Sequence, residues 1–547
     1  MRLPLSRRIR SIGTALLLAV RTFEPAPSVP TGPAYAMGLV ASGAFSFLLY
    51  CLIARTQVDD AFIFYRVVEM VLGGHGPAIN PGENHLGITS ALWTYLLALL
   101  KLLSGAEMMP LAKALSAALV TGAGLLCAWA LRRQLGVLSL VLPIAIASTP
   151  RLVQLVGMET ALVTVLLVLA GYLFETRRDP AWIGLGCAAL YLARPDGAVA
   201  VAIFFADVLR REGARGMIVF LKRFAPAALI PVLLWHGYLF AEMGVLVPAT
   251  LHAKMIQPGM GWTAFAPAIR GFVQFALEPV PGGAILLVPG LLMLQRSRFT
   301  AFLLAFTALR MGVYAYVIKP AAYPWYFYDL DLVLRLVSAA GFLGVLHAAV
   351  ALARSGSDRL ELAPGAKRLV SRATVAAALV AALVGTSYVV RPAQDLLWKR
   401  APGASVASGA LLVMLREQEA WRVLEPDWEW WVSYSKVSEW LRAHEPAGGK
   451  VVVVMELGVL GYLNSHLIVH DTMGLATPGI QRDELNDYER LSARLMPNYI
   501  VSSFEDQGEE WSFPGQDGQT MRYRRVFAGA PQGFWKGVLY QRIDPGG

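Results

Sequence analysis

The chain has 547 residues, of which 56% are hydrophobic and only 16% are charged, and its mean hydropathy is +0.52. A soluble globular protein is about half apolar and about a quarter charged, so this composition excludes an ordinary soluble enzyme. Many apolar runs reach the roughly 17–25 residues that a membrane-spanning helix requires. The sequence therefore predicts a polytopic membrane protein.

The formal net charge of +10 is unevenly distributed along the chain. Residues 391–547 carry 16 Lys/Arg and 20 Asp/Glu, which leaves 32 of the 48 basic and 18 of the 38 acidic side chains in the first 390 residues. Cytoplasmic loops of membrane proteins collect Lys and Arg, so the basic excess indicates membrane topology and not nucleic-acid binding. Cys51, Cys127 and Cys187 lie far apart in apolar runs, which predicts neither a disulfide framework nor a metal site.

Three segments follow from the distribution of charge. Residues 1–34 are basic and predict a cytoplasmic tail, with a cleavable signal peptide as the alternative for their first part. Residues 35–390 predict a transmembrane domain of about eleven spans, with a first outer loop at 55–110. An odd number of crossings then places residues 391–547, whose composition is that of a soluble α/β domain, on the extracytoplasmic face of the inner (plasma) membrane.

The predicted elements follow in chain order. The spans are residues 35–54, 111–131, 137–147, 161–174, 182–210 (a tight pair), 224–240, 285–294, 302–318, 332–353 and 375–390. Parity with the basic Arg132-Arg133 pair requires that residues 91–103 lie on the outer leaflet as an interfacial helix. Residues 271–276 predict another surface helix. In the last domain, residues 434–444 predict a helix, and residues 450–455, 467–470 and 499–502 predict strands.

Two adjacent carboxylates, Asp59 and Asp60, stand just after the first apolar run. Like charges at a membrane surface are costly unless water, a cation or a substrate group compensates them. They predict a general base with a neighbour that raises its pKa, or a pair that helps to hold a divalent cation. The alternative is a helix N-cap for residues 61–72, and one residue can serve both purposes.

Other polar residues gather in the predicted outer loops. His75, Glu83 and His85 follow the Asp pair in a glycine-rich loop; their spacing could suit a metal, although polar loop residues or a phosphate contact explain them as well. Glu159 begins a predicted helix, where an acidic residue compensates the helix dipole. Arg194 and Asp196 flank a proline at a corner and predict a buried ion pair.

Two more features lie on the predicted outer face. Lys254 opposes the positive-inside trend, so it is a candidate for an anionic ligand such as a lipid phosphate, with snorkelling to headgroups as the alternative. Tyr323, Trp325 and Tyr326 form an aromatic segment. Such a segment is typical of the membrane interface, and it also suits a platform for stacking sugars.

An ordered set of motifs resembles a known superfamily. The motifs are Asp59-Asp60-Ala-Phe-Ile-Phe-Tyr-Arg66, Gly74-His-Gly76, Asn80-Pro-Gly-Glu83, Gly87-Ile-Thr89, Leu92-Trp93, Gly157-Met-Glu-Thr160, Arg194-Pro-Asp-Gly197, Val247-Pro248 with Lys254, Tyr323-Pro-Trp-Tyr326, Gly458 to Tyr462 and Asp471-Thr-Met-Gly-Leu475. Together they resemble the GT-C membrane glycosyltransferases, and most of all the mycobacterial arabinofuranosyltransferases that use decaprenyl-phosphoryl-arabinose. Gly87-Ile88-Thr89-Ser90 and Val247-Pro248-Ala249-Thr250 depart from the corresponding turns of that group, so the sugar is left open.

The resemblance implies a mainly α fold: a GT-C transmembrane helical bundle with a C-terminal extracytoplasmic α/β domain. It implies inverting transfer of a pentose or hexose from a polyprenyl-phosphate donor to an envelope glycan, lipid or protein acceptor. The implied site residues fall into three groups. They are Asp59 as the catalytic base, with Asp60 orienting it or sharing a cation and Glu159 supporting it; Lys254, Arg194, His75 and Arg66 for the donor phosphate; and Glu83, His85, Tyr323, Trp325 and Tyr326 for the sugar or acceptor. The need for a divalent cation at Asp59 and Asp60 is left open.

Two other functions are compatible with a chain of this composition. A transporter or flippase of a lipid-linked sugar would bind a similar ligand, but transporters usually place their polar site near mid-membrane and are often built from inverted repeats. Here the polar motifs collect on one predicted face and no repeat is visible in the sequence. An assembly protein whose outer domain recruits partners would tolerate neutralisation of the Asp pair.

Overall fold

The computed structural model describes residues 31–54, 57–246, 250, 262–277, 283–318, 320, 322–359, 429–446, 449–503, 505–529 and 537–543. In the membrane part the helices are α1 (Pro33–Ile53), α2 (Asp59–Leu72), α3 (Ala91–Ser104), α4 (Met108–Leu135), α5 (Leu142–Ala147), α6 (Pro150–Gln154), α7 (Thr160–Thr176), α8 (Pro180–Ala193), α9 (Val199–Met243), α10 (Trp262–Leu277), α11 (Gly283–Leu294), α12 (Arg298–Val313) and α13 (Tyr328–Arg359).

This bundle confirms the prediction of a mainly α, multi-pass membrane protein. Within the described residues, five helical segments are long and apolar enough to cross a membrane: Pro33–Ile53, Met108–Ala147, Pro195–Met243, Arg298–Ile318 and Tyr328–Ala349. Shorter apolar helices stand beside them, among them α3, α7, α8 and α11. The predicted span at residues 375–390 lies outside the described residues, so the total of about eleven spans stays a prediction.

Two glycines with positive φ reverse the chain between predicted spans. At Gly136, φ is 59°, and the following segment folds back until Pro143 lies against Gly124, where a Cβ would be 2.5 Å from the proline Cα. At Gly213, φ is 66°, and Phe205 then packs against Phe224 with the ring centroids 5.3 Å apart. The 45-residue helix α9 is therefore two antiparallel arms, as the sequence predicts.

Small residues allow close packing elsewhere in the bundle. A Cβ at Gly290 of α11 would lie 1.9 Å from the carbonyl oxygen of Val337, and one at Gly341 of α13 would lie 2.0 Å from that of Leu286. Glycines at both contacts bring the two helix backbones together, which is how helices associate where lipid supplies no hydrophobic driving force.

The C-terminal part is an α/β unit. It contains α14 (Glu429–His444), β1 (Val451–Val454), α15 (Gly458–Leu463), β2 (Ile468–Asp471), α16 (Tyr488–Leu495), β3 (Tyr499–Ser502), β4 (Glu510–Pro514), β5 (Thr520–Ala528) and β6 (Val538–Arg542). The sheet order is β2-β1-β3-β6-β5-β4, in which β1 pairs in parallel with β2 and β3, and the other pairs are antiparallel. The predicted helix and three strands are confirmed, whereas β4, β5 and β6 were not predicted.

Candidate functional site

A cavity of about 650 Å³ opens where the helical bundle meets the C-terminal unit. Its wall includes the start of α2, residues 87–89, the turn at Met158 and Glu159, the corner between α8 and α9, the end of α9, the end of α12 with the aromatic segment after it, and the turns that follow β1 and β2. Asp59 and Glu159, which are a hundred residues apart, both line it. The cavity thus collects polar motifs that are scattered along the sequence.

Close backbone packing explains how the turn at Gly157 brings Glu159 to the cavity. Gly157 has φ 89°, and a Cβ at this position would lie 2.2 Å from the hydroxyl of Tyr65 in α2. Its carbonyl accepts a hydrogen bond from Nε1 of Trp93 in α3, at 3.1 Å. The glycine lets the turn that carries Glu159 lie directly on α2, because no side chain separates them.

Three carboxylates form an acidic cluster, which we define as Asp59, Asp60 and Glu456. One oxygen from each lies within 4.8 Å of the others. Asp59 also accepts two backbone amide hydrogens from the first turn of α15, from Gly458 at 2.7 Å and from Val459 at 2.9 Å. The cluster thus contains side chains from the membrane part and from the C-terminal unit.

The environment of the acidic cluster favours bound protons or a bound cation. Burial raises the pKa of Asp59 to about 6, although the two backbone amide hydrogens act in the opposite direction. Burial, together with the charges of Asp59, Asp60 and Asp471, raises the pKa of Glu456 well above its ordinary value. Carboxylates with raised pKa values can accept a proton near neutral pH, and hard oxygen ligands also suit Mg²⁺ or Mn²⁺.

Across the cavity lies an arginine network, which we define as Arg194, Arg310, Glu159, Asp196 and Asp329. Arg194 contacts Glu159 at 2.7 Å and Asp196 at 3.3 Å. Arg310 contacts Asp196 at 2.7 Å and Asp329 at 2.5 Å. The network has three carboxylates for two guanidinium groups, so its positive charges are compensated, as buried charges must be.

Glu159 has one oxygen that the network does not use. Its side chain is 2% exposed, and Oε1 accepts from Arg194, whereas Oε2 has no hydrogen-bond partner in the described part of the chain. A buried oxygen without a partner is destabilising, and a site of this kind commonly receives a water or a ligand group.

The aromatic segment forms another part of the wall. Tyr323 and Trp325 stack with their ring centroids 4.5 Å apart and their planes at 9°, and Tyr326 is buried behind them. Beside this segment, the rim of the cavity is apolar: it contains Val313 and Ile318. The neighbouring Val317 is 73% exposed, which indicates that this side of the cavity opens towards lipid.

Not every predicted site residue lies at this cavity. Asp59, Asp60, Glu159, Arg194, Tyr323, Trp325 and Tyr326 line it. His75 is exposed in the loop after α2 and does not belong to the cavity wall. Lys254 lies outside the described residues, so its predicted contact with a phosphate stays a prediction.

Arg66 is placed away from the cavity wall and is 0% exposed. Its guanidinium donates to the carbonyl oxygens of Ile79 at 2.7 Å and Leu467 at 2.7 Å, to that of Gly461, and to Oδ1 of Asn80 at 2.8 Å. These bonds occupy the N–H donors that a phosphate would need. Arg66 therefore joins α2 to the outer loop and to the C-terminal unit instead.

Glu83 and His85 also belong to the contact between the outer loop and the C-terminal unit. Glu83 accepts from Asn80 at 2.9 Å and lies 3.4 Å from Nε2 of His470. His85 Nε2 is 3.0 Å from the carbonyl oxygen of Leu475, and burial lowers the pKa of this histidine. Neither residue lines the cavity, so they position the turn after β2 and do not reach the cavity themselves.

Three residues of the site, Glu456, Arg310 and Asp329, were not singled out from the sequence. Glu456 follows β1, and ligands of α/β sheets commonly bind at the carboxyl ends of parallel strands, so its position was a usable signal. Arg310 lies inside the apolar segment Arg298–Ile318. An ionisable residue within a span is by default a candidate for function, and this rule would have found it.

Comparison with known proteins gives a domain model and similar solved structures. Residues 418–538 match a domain of unknown function, DUF8728, and no curated protein matches the chain. Two crystal structures of ArnT from Cupriavidus metallidurans are similar. The one bound to undecaprenyl phosphate is 12% identical over 94% of this chain and 99% of that chain, with a TM-score of 0.45. The apo form is 14% identical over 92% and 98%, with a TM-score of 0.49. At these values the likeness does not extend to substrate or activity.

Proposed function

We propose that the protein is a GT-C type membrane glycosyltransferase that transfers a sugar from a polyprenyl-phosphate donor to an envelope acceptor. One observation carries the proposal: a single cavity joins an acidic cluster, an arginine network, stacked aromatic rings and an apolar rim. A lipid-linked sugar needs each of these. The polyprenyl chain would lie against the rim, the sugar against the rings, and the phosphate beside the arginines.

The reaction requires a proton acceptor and stabilisation of the leaving group. An acceptor hydroxyl forms a bond to the anomeric carbon from one face, the bond to the phosphate oxygen breaks on the other, and the sugar configuration inverts. The acidic cluster takes the hydroxyl proton. Arg194, and Lys254 outside the described residues, stabilise the negative charge on the departing phosphate. Glu159 holds Arg194 in position at 2.7 Å.

A divalent cation is the alternative occupant of the acidic cluster, in place of the transferred proton. Asp59, Asp60 and Glu456 offer three carboxylate oxygens within 4.8 Å, which fits the oxygen ligands of Mg²⁺ or Mn²⁺. A cation bound there would add positive charge near the leaving phosphate. The test is transfer after removal of metals with EDTA and after return of Mg²⁺ or Mn²⁺.

The orientation follows from the same proposal. With residues 1–34 cytoplasmic, the cavity and the C-terminal unit lie on the extracytoplasmic side, where an envelope acceptor is found. Cysteine accessibility at the exposed loop before α4 and at the loop before α12 would test this, because the two sites should react from opposite sides of the membrane.

The experiment that tests the function is transfer by the purified full-length chain in lipid nanodiscs. Radiolabelled decaprenyl-phosphoryl-arabinose is supplied as the donor, and delipidated cell-envelope glycan as the acceptor, alongside a second donor that carries a hexose. We expect label in the glycan fraction with at least one donor. Label that stays on lipid but crosses the bilayer in sealed vesicles would instead identify a transporter.

A further inference from the structure

One turn of the C-terminal unit is held at both of its ends by α2. At its start, both oxygens of Asp59 accept backbone amide hydrogens, Oδ2 from Gly458 at 2.7 Å and Oδ1 from Val459 at 2.9 Å. A Cβ at Gly458 would lie 1.9 Å from the carbonyl oxygen of Asp59. The contact therefore requires glycine at this position, and it leaves no space between α2 and α15.

At the other end, Arg66 binds the carbonyl groups that leave α15. It donates to Gly461, to Asn464 at 3.2 Å and to Leu467 at 2.7 Å. Asp59 and Arg66 are seven residues apart in α2, so they project from the same face, about two turns apart. We call this arrangement the α2 clamp: Asp59 and Arg66 with the backbone groups of α15 and the chain that follows it.

Aromatic side chains fill the space between the two ends of the α2 clamp. Phe62 lies 5.1 Å from Trp431 and 5.8 Å from Tyr462, and Tyr65 lies 5.7 Å from Tyr462, all between ring centroids. Phe62 and Tyr65 are fully buried. The buried rings and the hydrogen bonds at each end together hold α15 in one position along α2.

The position of α15 along α2 determines where Glu456 lies. Glu456 is two residues before Gly458, between β1 and α15, so the clamped turn carries it to the cavity wall beside Asp60. Asp59, by contrast, directs each of its oxygens to an amide hydrogen of α15. The three members of the acidic cluster therefore have different surroundings.

We propose that Asp59 is a positioning residue, that the α2 clamp brings Glu456 to Asp60, and that Asp60 and Glu456 together form the catalytic carboxylate pair. This division of roles rests on the proposed function, since it assigns steps of that transfer reaction. Asp60 takes the proton from the acceptor hydroxyl as the new glycosidic bond forms and the bond between the anomeric carbon and the donor phosphate oxygen breaks, so that polyprenyl phosphate leaves as the anion. Glu456, a like charge within 4.8 Å, raises the affinity of Asp60 for that proton. The catalytic centre is thus completed by the C-terminal unit.

The first test measures docking and needs no substrate. Amide hydrogen exchange is followed in residues 456–467 of the full-length chain in nanodiscs. Asp59→Asn and Gly458→Ala should each speed exchange there by about tenfold or more, since a lost hydrogen bond and a steric clash both favour local opening. Asp60→Asn and Glu456→Gln should leave it unchanged. Unchanged exchange in Asp59→Asn overturns the inference whether or not the protein transfers sugar.

The second test separates kcat from KM with the labelled decaprenyl-phosphate donor. Asp60→Asn and Glu456→Gln should each lower kcat by about 100-fold or more with a similar donor KM, and Glu456→Asp should recover part of the rate. Glu439→Gln, which changes an exposed carboxylate of α14, is the matched control and should be neutral. Gly458→Ala and Asp59→Asn should change kcat and the donor KM in the same way, because both substitutions weaken the contact between α2 and α15.

Two results would overturn the division of roles. One is full activity in Glu456→Gln. The other is an Asp59→Asn protein that keeps its docking but loses kcat, while Asp60→Asn stays active; this would make Asp59 the proton acceptor. A wild-type chain that transfers from no lipid-linked donor contradicts the proposed function alone, since the exchange measurement still tests the α2 clamp.

Discussion

Buried charges have different partners on the two sides of the cavity. In the arginine network each guanidinium meets carboxylates, with Arg310 between Asp196 at 2.7 Å and Asp329 at 2.5 Å. In the acidic cluster like charges gather, and the hydrogen bonds to Asp59 come from backbone amides. The first arrangement holds helices together through compensated charge. The second keeps an unfavourable charge arrangement, which is typical of reactive sites.

This comparison predicts opposite effects of neutralising a residue on each side. On the acidic side, an amide in place of Asp60 or Glu456 should lower the transfer rate and leave folding intact, whereas Asp59 also holds α15. On the arginine side, loss of one charge should leave its partners buried and unpaired, and folding should suffer. The following substitutions test that contrast.

Asp60→Asn should lower the transfer rate by a factor of about 10²–10⁴, which is the usual contribution of a general base. The thermal midpoint of the purified protein should not fall, because one of several like charges has been removed. Initial rates with the labelled donor and a thermal melt of the same preparation measure both quantities. Equal losses of activity and of stability would contradict the contrast.

Arg310→Gln should destabilise the bundle by about 3–5 kcal/mol, because Asp196 and Asp329 would lose their charged partner in a buried place. The yield of monodisperse protein and its unfolding in mild denaturant report this effect. Arg296→Gln is the matched control, since Arg296 is exposed. A well-folded Arg310→Gln protein with normal stability would show that the network is not structural.

Stability should depend on pH through Asp59. Its pKa is raised to about 6 in the folded chain against about 3.9 in an unfolded one. The folded state therefore binds more protons than the unfolded state between about pH 4 and 6, so this stabilisation is complete below pH 4 and is lost as the pH rises through 6.

The measurement is the difference in unfolding free energy between wild type and Asp59→Asn from pH 4 to pH 7, in buffer with EDTA. The substitution lowers stability by a constant amount through docking but removes the titration. Wild type should lose stability relative to the variant as the pH rises. A difference that is flat or that rises with pH would contradict the raised pKa.

Gly458→Ala should destabilise the contact between the two parts of the chain by about 1–3 kcal/mol, the usual range for overpacking. A Cβ there would meet the backbone of Asp59 at 1.9 Å. Gly271→Ala in α10 is the control: nothing lies within 4 Å of its added Cβ. Limited proteolysis between the membrane part and the C-terminal unit distinguishes the two variants, and equal cleavage would contradict a tight α2–α15 contact.

Trp325→Ala should have the mildest effect. Loss of its stacking with Tyr323, whose centroid is 4.5 Å away, is worth about 1 kcal/mol, so the KM for a sugar ligand should rise several-fold while kcat changes little. The kinetic assay with wild type as reference measures it. A change in kcat without a change in KM would place Trp325 in the chemical step.

Much of the fold could be predicted from the sequence because its signals are local. Length and hydropathy locate the long apolar helices, such as Pro33–Ile53 and Arg298–Ile318, and the run Val451–Val454 has the composition of a buried parallel strand. No strand was predicted at β4 and β5, although their residues alternate between exposed and buried, and this period of two is a usable strand signal.

The site was harder to predict because it depends on contacts across the chain. Asp59, Glu159 and Arg194 could be placed on one face by counting spans. Arg66 looked like a phosphate ligand, since nothing local shows that backbone carbonyls about 400 residues away occupy its donors. Glu456 lies beside Asp60 only because α15 packs on α2, and the hydrophobic periodicity of the sequence does not reveal that contact.

A structure determined with decaprenyl phosphate bound tests the central claim most directly. We expect density for the phosphate inside the cavity, between the arginine network and the acidic cluster, with the polyprenyl chain leaving past Val313 and Ile318. Phosphate density at a different place on the protein, with the cavity open and the wall unchanged, would contradict it.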